Sequence, residues 1–270
     1  MAINEPDYFK LLTKKISKLS GIILDSYRDK YLKRRIELRM KVVGIKDYRE
    51  YARFIEKDEN ELKALIDTLT INVTEFMRDK GPFEYFRDKL AVDIIERKQK
   101  SQSKLVRFWS AGCSCGEEPY SIGMCAREVF PEDWSISVYA TDIDEKCLKT
   151  ASEGVYCKDK LQNLDYSLKS KYFEKTENDY KIKNTNKLSY RFKRHDLTND
   201  PPISKHLDTV FCRNVMIYFN EKQKVKMITR FHEGLIKGGF LVIGKSETLP
   251  NEIRHLFEPV SLKNKIYMKV

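Results

Sequence analysis

The 270-residue sequence has no long unbroken apolar run near its start. The segment MAINEPDYFKLLTKKISKL (1–19) carries Glu5 and Asp7 early, unlike a signal peptide, and it is too polar to serve as a spanning helix. The sequence therefore predicts a cytoplasmic protein without membrane insertion.

Cysteine is scarce, and its spacing lacks the CxxC pairs that mark many zinc and redox sites. The six cysteines are Cys113, Cys115, Cys125, Cys147, Cys157 and Cys212. Such a low density argues against a disulfide scaffold. We expect reduced thiols, and we expect Cys113 and Cys115 to pack as small apolar side chains and to bind no metal.

Charged residues make up 34% of the chain and hydrophobic residues 41%, a balance typical of a globular protein with a heavily charged surface. The formal net charge of +11 favours an acidic partner, whether nucleic acid, an anionic membrane or a carboxylate-rich protein. The sequence has no NPPY-type segment and no basic, aromatic RNA-binding motif, which argues against a nucleic-acid partner.

Between Tyr8 and Phe76 there are few glycines or prolines, and apolar residues recur every three or four positions. Residues such as Leu32, Ile36, Met40 and Val43 fall on one stripe of a helix. This pattern predicts an all-helical N-terminal domain over residues 1–75.

From residue 76 onward, short β-branched and aromatic runs alternate with helical stretches, which predicts an α/β fold with a parallel sheet and crossover helices. The predicted strands are 105–110, 136–142, 188–196, 207–214 and 238–244, followed by a closing antiparallel pair at the sheet edge. The predicted helices are 117–130, 144–152 and 220–237. Residues 161–188 form an insert rich in lysine, asparagine and tyrosine. Within it, the runs SKYFEK and YKIKN are compatible with a short hairpin.

The stretch AGCSCGEEPYS (111–121) follows the first of these strands, where open α/β sheets bind ligands. Gly112 and Gly116 permit close backbone approach, whereas Glu117 and Glu118 would repel a phosphate. Asp142, at the end of the next strand, is placed to accept hydrogen bonds from ribose hydroxyls. A phosphate-free, cationic nucleoside such as S-adenosylmethionine fits this pattern. For Glu117, helix capping is an equally good explanation.

Five segments in this order resemble the CheR family of chemotaxis receptor glutamate methyltransferases. They are INVTEFMRD (71–79), FWSAGCSCGEEPYSIGM (108–124), VYATDID (138–144), FCRNVMIYF (211–219) and IGKSETL (243–249). The resemblance implies a helical domain (1–75) and a class I methyltransferase domain (76–270) with a small antiparallel β subdomain inserted at about 161–190. It also implies methyl transfer from S-adenosylmethionine to receptor glutamates, with S-adenosylhomocysteine as the product.

The resemblance further implies a set of site residues. Those expected to bind the cofactor are Asn72, Thr74, Arg78, Glu118, Asp142, Asp196, Leu197, Arg213 and Asn214. Arg78 is expected to orient the substrate carboxylate, although a surface salt bridge is the plainer explanation for a lone arginine. Tyr218 is expected near the methyl group, with a core tyrosine as the alternative. The insert lacks the glycine-bearing loop of members that dock on a receptor's C-terminal peptide, which argues against such tethering.

The basic segment 26–41 contains seven Lys or Arg residues and two acidic ones. On a helix, Arg28, Arg35 and Arg39 would line one edge of the apolar stripe and could dock on cytoplasmic receptor helices; a solvated face is the alternative. We expect a monomer. Two rival functions remain at this point, a nucleic-acid methyltransferase and a non-catalytic module that binds the cofactor or a receptor.

Overall fold

The computed structural model describes residues 5–70, 74–185 and 187–270, which form two compact units. The first unit contains residues up to 70 together with Tyr218–Gln223, and the second contains the remainder. The predicted combination of a helical domain with an α/β domain is confirmed, while the division after residue 75 stays a prediction. Within these described ranges, no helix is both long and apolar enough to cross a bilayer.

The described part of the first unit contains four α-helices, and two of them begin at side-chain caps. They are α1 (Glu5–Ser20), α2 (Asp29–Val42), α3 (Tyr48–Lys57) and α4 (Glu59–Leu69). The carboxylate of Asp47 accepts the backbone N–H groups of Arg49 and Glu50, and Asp58 does the same for the first turn of α4. These bonds satisfy donors that a helix leaves unpaired, so the two aspartates set where α3 and α4 begin.

The predicted apolar stripe of α2 faces the core of the helical unit. Leu32, Ile36 and Met40 are at most 3% exposed, while Val43 lies just beyond the helix and is half-buried. Arg39, on the edge of the stripe, pairs with the buried Glu61 of α4, with 3.1 Å between its Nε and the Glu61 Oε1.

A seven-stranded sheet organises the second unit. Its strands are β1 (Leu105–Ala111), β2 (Ser135–Asp142), β6 (Leu188–Arg194), β7 (Leu207–Cys212), β8 (Leu235–Ile243), β9 (Phe257–Ser261) and β10 (Ile266–Lys269), and they lie in the order β6-β2-β1-β7-β8-β10-β9. The first five strands in this order are parallel, and β10 runs antiparallel to both of its neighbours. Every residue of the central strand β7 is buried, as expected for a parallel strand covered on both faces.

Helices connect the strands, and a second, smaller sheet lies beside them. The helices are α5 (Gly81–Tyr85), α6 (Ala91–Lys100), α7 (Glu117–Val129), α8 (Glu145–Glu153), α9 (Tyr166–Tyr172) and α10 (Glu221–Gly234), with a π-helical turn at Phe86–Leu90. Short 3-10 helices lie at Leu24–Ser26, Lys158–Leu161, Met216–Tyr218 and Asn251–Leu256. The predicted small antiparallel subdomain is confirmed as a sheet of β3 (Val155–Cys157), β5 (Asp179–Ile182) and β4 (Phe173–Lys175).

Two expectations from the sequence are wrong in detail. The predicted helix 220–237 ends at Gly234, because β8 begins at Leu235 and continues through Gly238, whose φ is +72°. The cysteines are not all reduced thiols, since Cys115 and Cys147 form a disulfide between the loop after β1 and the first turn of α8. The pairing links residues 32 positions apart, so local spacing gave no sign of it.

Candidate active site

The turn after β1 approaches the neighbouring strand ends closely. The backbone N–H groups of Gly112 and Cys113 both donate to the Thr141 carbonyl at the end of β2, at 2.8 and 2.9 Å. Gly112 has a φ of +81°, and a Cβ atom there would lie 2.5 Å from a methyl carbon of Val215. Only glycine fits both constraints, so this residue keeps the ends of β1, β2 and β7 close together.

Asp142 ends β2 and fixes the loop that follows β1. Its Oδ2 accepts the Ser114 N–H at 2.7 Å, and its Oδ1 accepts the Asp144 N–H at 3.0 Å. Burial raises the pKa of Asp142, while these backbone N–H groups act in the opposite direction. Each carboxylate oxygen has a further lone pair, so the side chain can also accept a ligand hydroxyl.

Glu118 lies in the first turn of α7 and faces the sheet. Its carboxylate accepts a hydrogen bond from the Ser110 hydroxyl at 2.8 Å and lies 3.4 Å from the Arg213 guanidinium. Burial raises the pKa of Glu118, and Arg213 opposes that shift. The buried carboxylate would be stabilised further by a cationic ligand and destabilised by an anionic one.

Arg213, directly after β7, is the centre of this cluster and is 5% exposed. Its guanidinium contacts Glu118, donates to the backbone carbonyl of Arg78 at 2.7 Å, and lies 3.2 Å from the Asp79 carboxylate. One planar cation therefore joins the end of β7, the start of α7 and the segment before α5.

The segment carrying Arg78 has an unusual backbone. Met77 and Asp79 both have a φ of +53°, a region that non-glycine residues seldom occupy. The Met77 N–H is held by the Ser121 hydroxyl at 2.9 Å, and Arg213 holds the next carbonyl. Contacts from α7 and from the end of β7 therefore fix the shape of this segment.

Glu117 lies in the first turn of α7, as the capping explanation requires, and it also has a charged partner. It is fully buried, and its Oε1 lies 3.0 Å from the Nζ of Lys160, which also donates to the Thr74 carbonyl at 2.7 Å. Gly116 supplies the sharp turn ahead of it, with a φ of +99° and no room for a Cβ atom beside Tyr156. Lys160 therefore links the segment that starts at Thr74 to the helix that begins at Glu117.

Asp196 and Leu197 lie in the loop after β6. The Asp196 carboxylate accepts hydrogen bonds from Thr198 and Asn199 of its own loop, at 2.7–2.8 Å. Burial would raise the pKa of Asp196, but these bonds leave it below its ordinary value. The side chain mainly shapes its own loop, and Leu197 beside it is buried.

The structure brings together some of the predicted residues and not others. Arg213 contacts both Glu118 and the backbone carbonyl of Arg78, and Asn214 follows Arg213 with a φ of +60°. Tyr218 belongs to the helical unit, where its ring centroid lies 5.0 Å from that of Tyr31.

Asn72 lies outside the described residues. Four further side chains contact the cluster or the backbone beside it and were not predicted as site residues: Ser110, Asp79, Lys160 and Glu247. Ser110, Asp79 and Glu247 lie in segments that carry the family resemblance, which is the signal that could have identified them, whereas Lys160 lies in none of those segments.

In the described residues the sheet is mostly parallel, and the turn after β1 carries glycines and no lysine, with carboxylates close by on α7 and at the end of β2. This arrangement suits a phosphate-free, cationic nucleoside. This fold and donor set define an S-adenosylmethionine-dependent methyltransferase. Glu118 and Asp142, both partly buried, fit that cofactor, because a cationic group would offset the burial of Glu118 and ribose hydroxyls could donate to Asp142.

Comparison with known proteins gives the same class and a family. The family model of the CheR methyltransferase SAM-binding domain matches residues 72–266, and that of the CheR methyltransferase all-alpha domain matches residues 7–70. A "Chemotaxis protein methyltransferase" of Borreliella burgdorferi is 35% identical over 250 residues, 90% of this chain and 88% of the relative. A protein of the same name from Listeria monocytogenes is 33% identical and covers 98% of both chains. The chain therefore belongs to the CheR methyltransferase family, and S-adenosylmethionine is its cofactor.

Proposed function

We propose that this protein methylates glutamate side chains on the cytoplasmic helices of chemotaxis receptors and so sets receptor adaptation. The observation that carries the proposal is the match of both domains to one family whose relatives are named chemotaxis protein methyltransferases. The protein would then act in the cytoplasm, as a monomer.

The cofactor would be held by residues from five segments of the methyltransferase unit. They are Asn72, Thr74 and Arg78 before α5, Glu118 on α7, Asp142 after β2, Asp196 and Leu197 after β6, and Arg213 and Asn214 after β7. Asp142 suits ribose hydroxyls, and Glu118 suits the cationic end of the donor. When bound, S-adenosylmethionine supplies an electrophilic methyl group on a sulfonium.

A glutamate substrate needs no general base. Its carboxyl group has a reference pKa of about 4.3 and is already ionised at neutral pH. His195, although buried near the sheet, has its Nε2 2.9 Å from the Pro201 carbonyl, as expected for a structural role. The protein's task is to align the carboxylate with the methyl group and to exclude water, and we assign the alignment to Arg78.

Docking on receptor helices is assigned to the basic side of α2, which includes Arg28, Arg35 and Arg39. Two of these already have acidic partners. Arg28 lies 3.6 Å from Glu221, and Arg39 pairs with the buried Glu61. Arg35 lies over the Tyr31 ring at 5.8 Å, so it is the best position for testing charge without breaking an ion pair shown here.

The function is tested by methyl transfer from labelled S-adenosylmethionine to receptor-containing membranes, with RNA offered in a parallel reaction. We expect base-labile label on the receptors and none on RNA. Label on RNA would establish the nucleic-acid methyltransferase instead, and cofactor binding without transfer to either substrate would establish a non-catalytic module.

Reversing the charge at Arg35 (Arg35→Glu) should lower the association rate with receptor fragments by about fivefold at low salt, because steering acts through the long-range field. The difference should shrink at high salt. Stopped-flow association measures this, with the exposed Arg53→Glu on α3 as the matched control. Equal rates for wild type and Arg35→Glu at low salt would show that this side of α2 is a solvated face.

A further inference from the structure

Glu247 is a buried carboxylate that the proposed mechanism does not use. It is 4% exposed and lies after β8, in the segment IGKSETL. Its Oε2 accepts the N–H groups of Gly244 at 2.5 Å and Asn214 at 3.2 Å, and its Oε1 accepts the Ile217 N–H at 3.3 Å. Both oxygens are therefore engaged by backbone donors, and two of the three donors lie in another loop.

The two loops follow neighbouring parallel strands. Cys212 at the end of β7 pairs in register with Ile243 at the end of β8, so the chain leaves the sheet at adjacent points. A Cβ atom on Gly244 would lie 2.7 Å from the Asn214 nitrogen. The loops touch through backbone, and the Glu247 carboxylate occupies the position from which it can bond to both.

The loop that Glu247 holds has a conformation that needs support. Asn214 has a φ of +60°, in the left-handed region that few residues other than glycine occupy. Burial raises the pKa of Glu247, and the backbone N–H groups of Gly244 and Asn214 oppose that shift. The Glu247 carboxylate thus accepts the backbone N–H groups that the 213–217 loop presents in this conformation. Because another conformation would lose these hydrogen bonds, the carboxylate stabilises this one.

We propose that Glu247 is a positioning residue for cofactor binding: through its carboxylate it holds the loop that presents Arg213 and Asn214. This rests on the proposed role of those two residues in holding the cofactor. Glu247 itself makes no contact with the reacting groups in this account. It acts through Asn214, so its loss should weaken cofactor affinity and leave the chemical step largely intact.

The test compares Glu247→Gln, Asn214→Ala and the double variant. The control is Glu252→Gln, because Glu252 is exposed and also follows β8 in the chain. Glutamine keeps the shape but turns an N–H₂ group toward a backbone donor. We expect S-adenosylhomocysteine affinity by calorimetry to fall about tenfold for Glu247→Gln, the size typical of a lost hydrogen bond to a charged group. KM for the methyl donor should rise with kcat nearly unchanged, and amide hydrogen exchange should accelerate at 214–217.

Coupling separates positioning from general stability. If Glu247 acts by holding the loop that carries Asn214, the two losses of affinity should be less than additive in the double variant. Additive losses, or wild-type affinity in a folded Glu247→Gln, would overturn the proposal. If that variant does not fold, Glu247→Asp replaces it, with the same expectations of weaker affinity and faster exchange. Normal binding by Asn214→Ala would instead refute the proposed role of Asn214, a separable result.

Discussion

Replacing Arg78 with alanine is expected to reduce methyl transfer about 100-fold while leaving affinity for S-adenosylhomocysteine within about threefold of wild type. The segment that carries Arg78 is held by a backbone carbonyl and by a neighbouring side chain, and neither is removed by the substitution. Arg213 bonds to the Arg78 carbonyl and to the Asp79 side chain, and both groups survive the substitution. The part of Arg78 in cofactor binding should therefore be kept by its backbone, while the guanidinium that aligns the substrate carboxylate is lost.

Single-turnover transfer and calorimetry on the same preparation would measure the two effects separately. Arg87→Ala is the matched control, because Arg87 is an exposed arginine of the same unit that pairs with its neighbour Asp88. If the loss of cofactor affinity accounted for the whole loss of transfer, Arg78 would be a binding residue only.

The second large effect is expected on stability. Lys160→Met should lower the free energy of unfolding by about 3 kcal/mol at pH 8, because the fully buried Glu117 carboxylate loses its cation. This value lies at the low end for buried pairs, since the Lys160 side chain is 37% exposed and water can reach the site. Methionine keeps most of the apolar stem, so packing changes little.

This stability defect should depend on pH in a defined direction. Burial already raises the pKa of Glu117 in the folded protein, and Lys160 opposes the shift, so removing Lys160 raises the pKa further. A carboxyl group whose pKa is higher folded than unfolded loses stability as pH rises through the unfolded value toward the folded one. The loss caused by Lys160→Met should therefore be smaller at pH 5 than at pH 8.

Urea unfolding at the two pH values measures this difference. Lys158→Met, an exposed lysine in the same 3-10 helix, should change little at either pH. Adding Glu117→Gln to Lys160→Met should remove most of the pH dependence, since no carboxylate remains to titrate. A defect of equal size at both pH values, unchanged by Glu117→Gln, would show that lost packing is the cause.

The spacing of apolar residues, glycines and acidic residues predicted those features of the fold that depend on neighbouring residues in the sequence. The apolar stripe of α2 and the buried run of β7 follow from burial of one helix face or of a whole strand. The placement of Gly112 and Asp142 at adjacent strand ends follows from strand-to-helix turns in a parallel sheet. These features need only a few neighbouring residues to be recognised.

Other features depend on partners far along the chain and could not be predicted from such patterns. From the sequence, Glu117 could be a helix cap or a ligand group, but its partner Lys160 lies on a later segment and could not be predicted. Glu247 lies in the quoted segment IGKSETL, but its role depends on backbone donors about 30 residues earlier, which the sequence alone does not bring beside it. The link between Cys115 and Cys147 is likewise a product of the folded chain.

The contacts of Arg213 have a consequence for synthesis of the protein. Its partners Arg78 and Glu118 lie 135 and 95 residues earlier in the chain. A nascent polypeptide that has emerged only as far as β6 contains those partners but not the guanidinium that joins them. Glu118 therefore stays without that cation until residue 213 leaves the ribosome. The contacts that Arg213 makes with Arg78, Asp79 and Glu118 are completed late in translation.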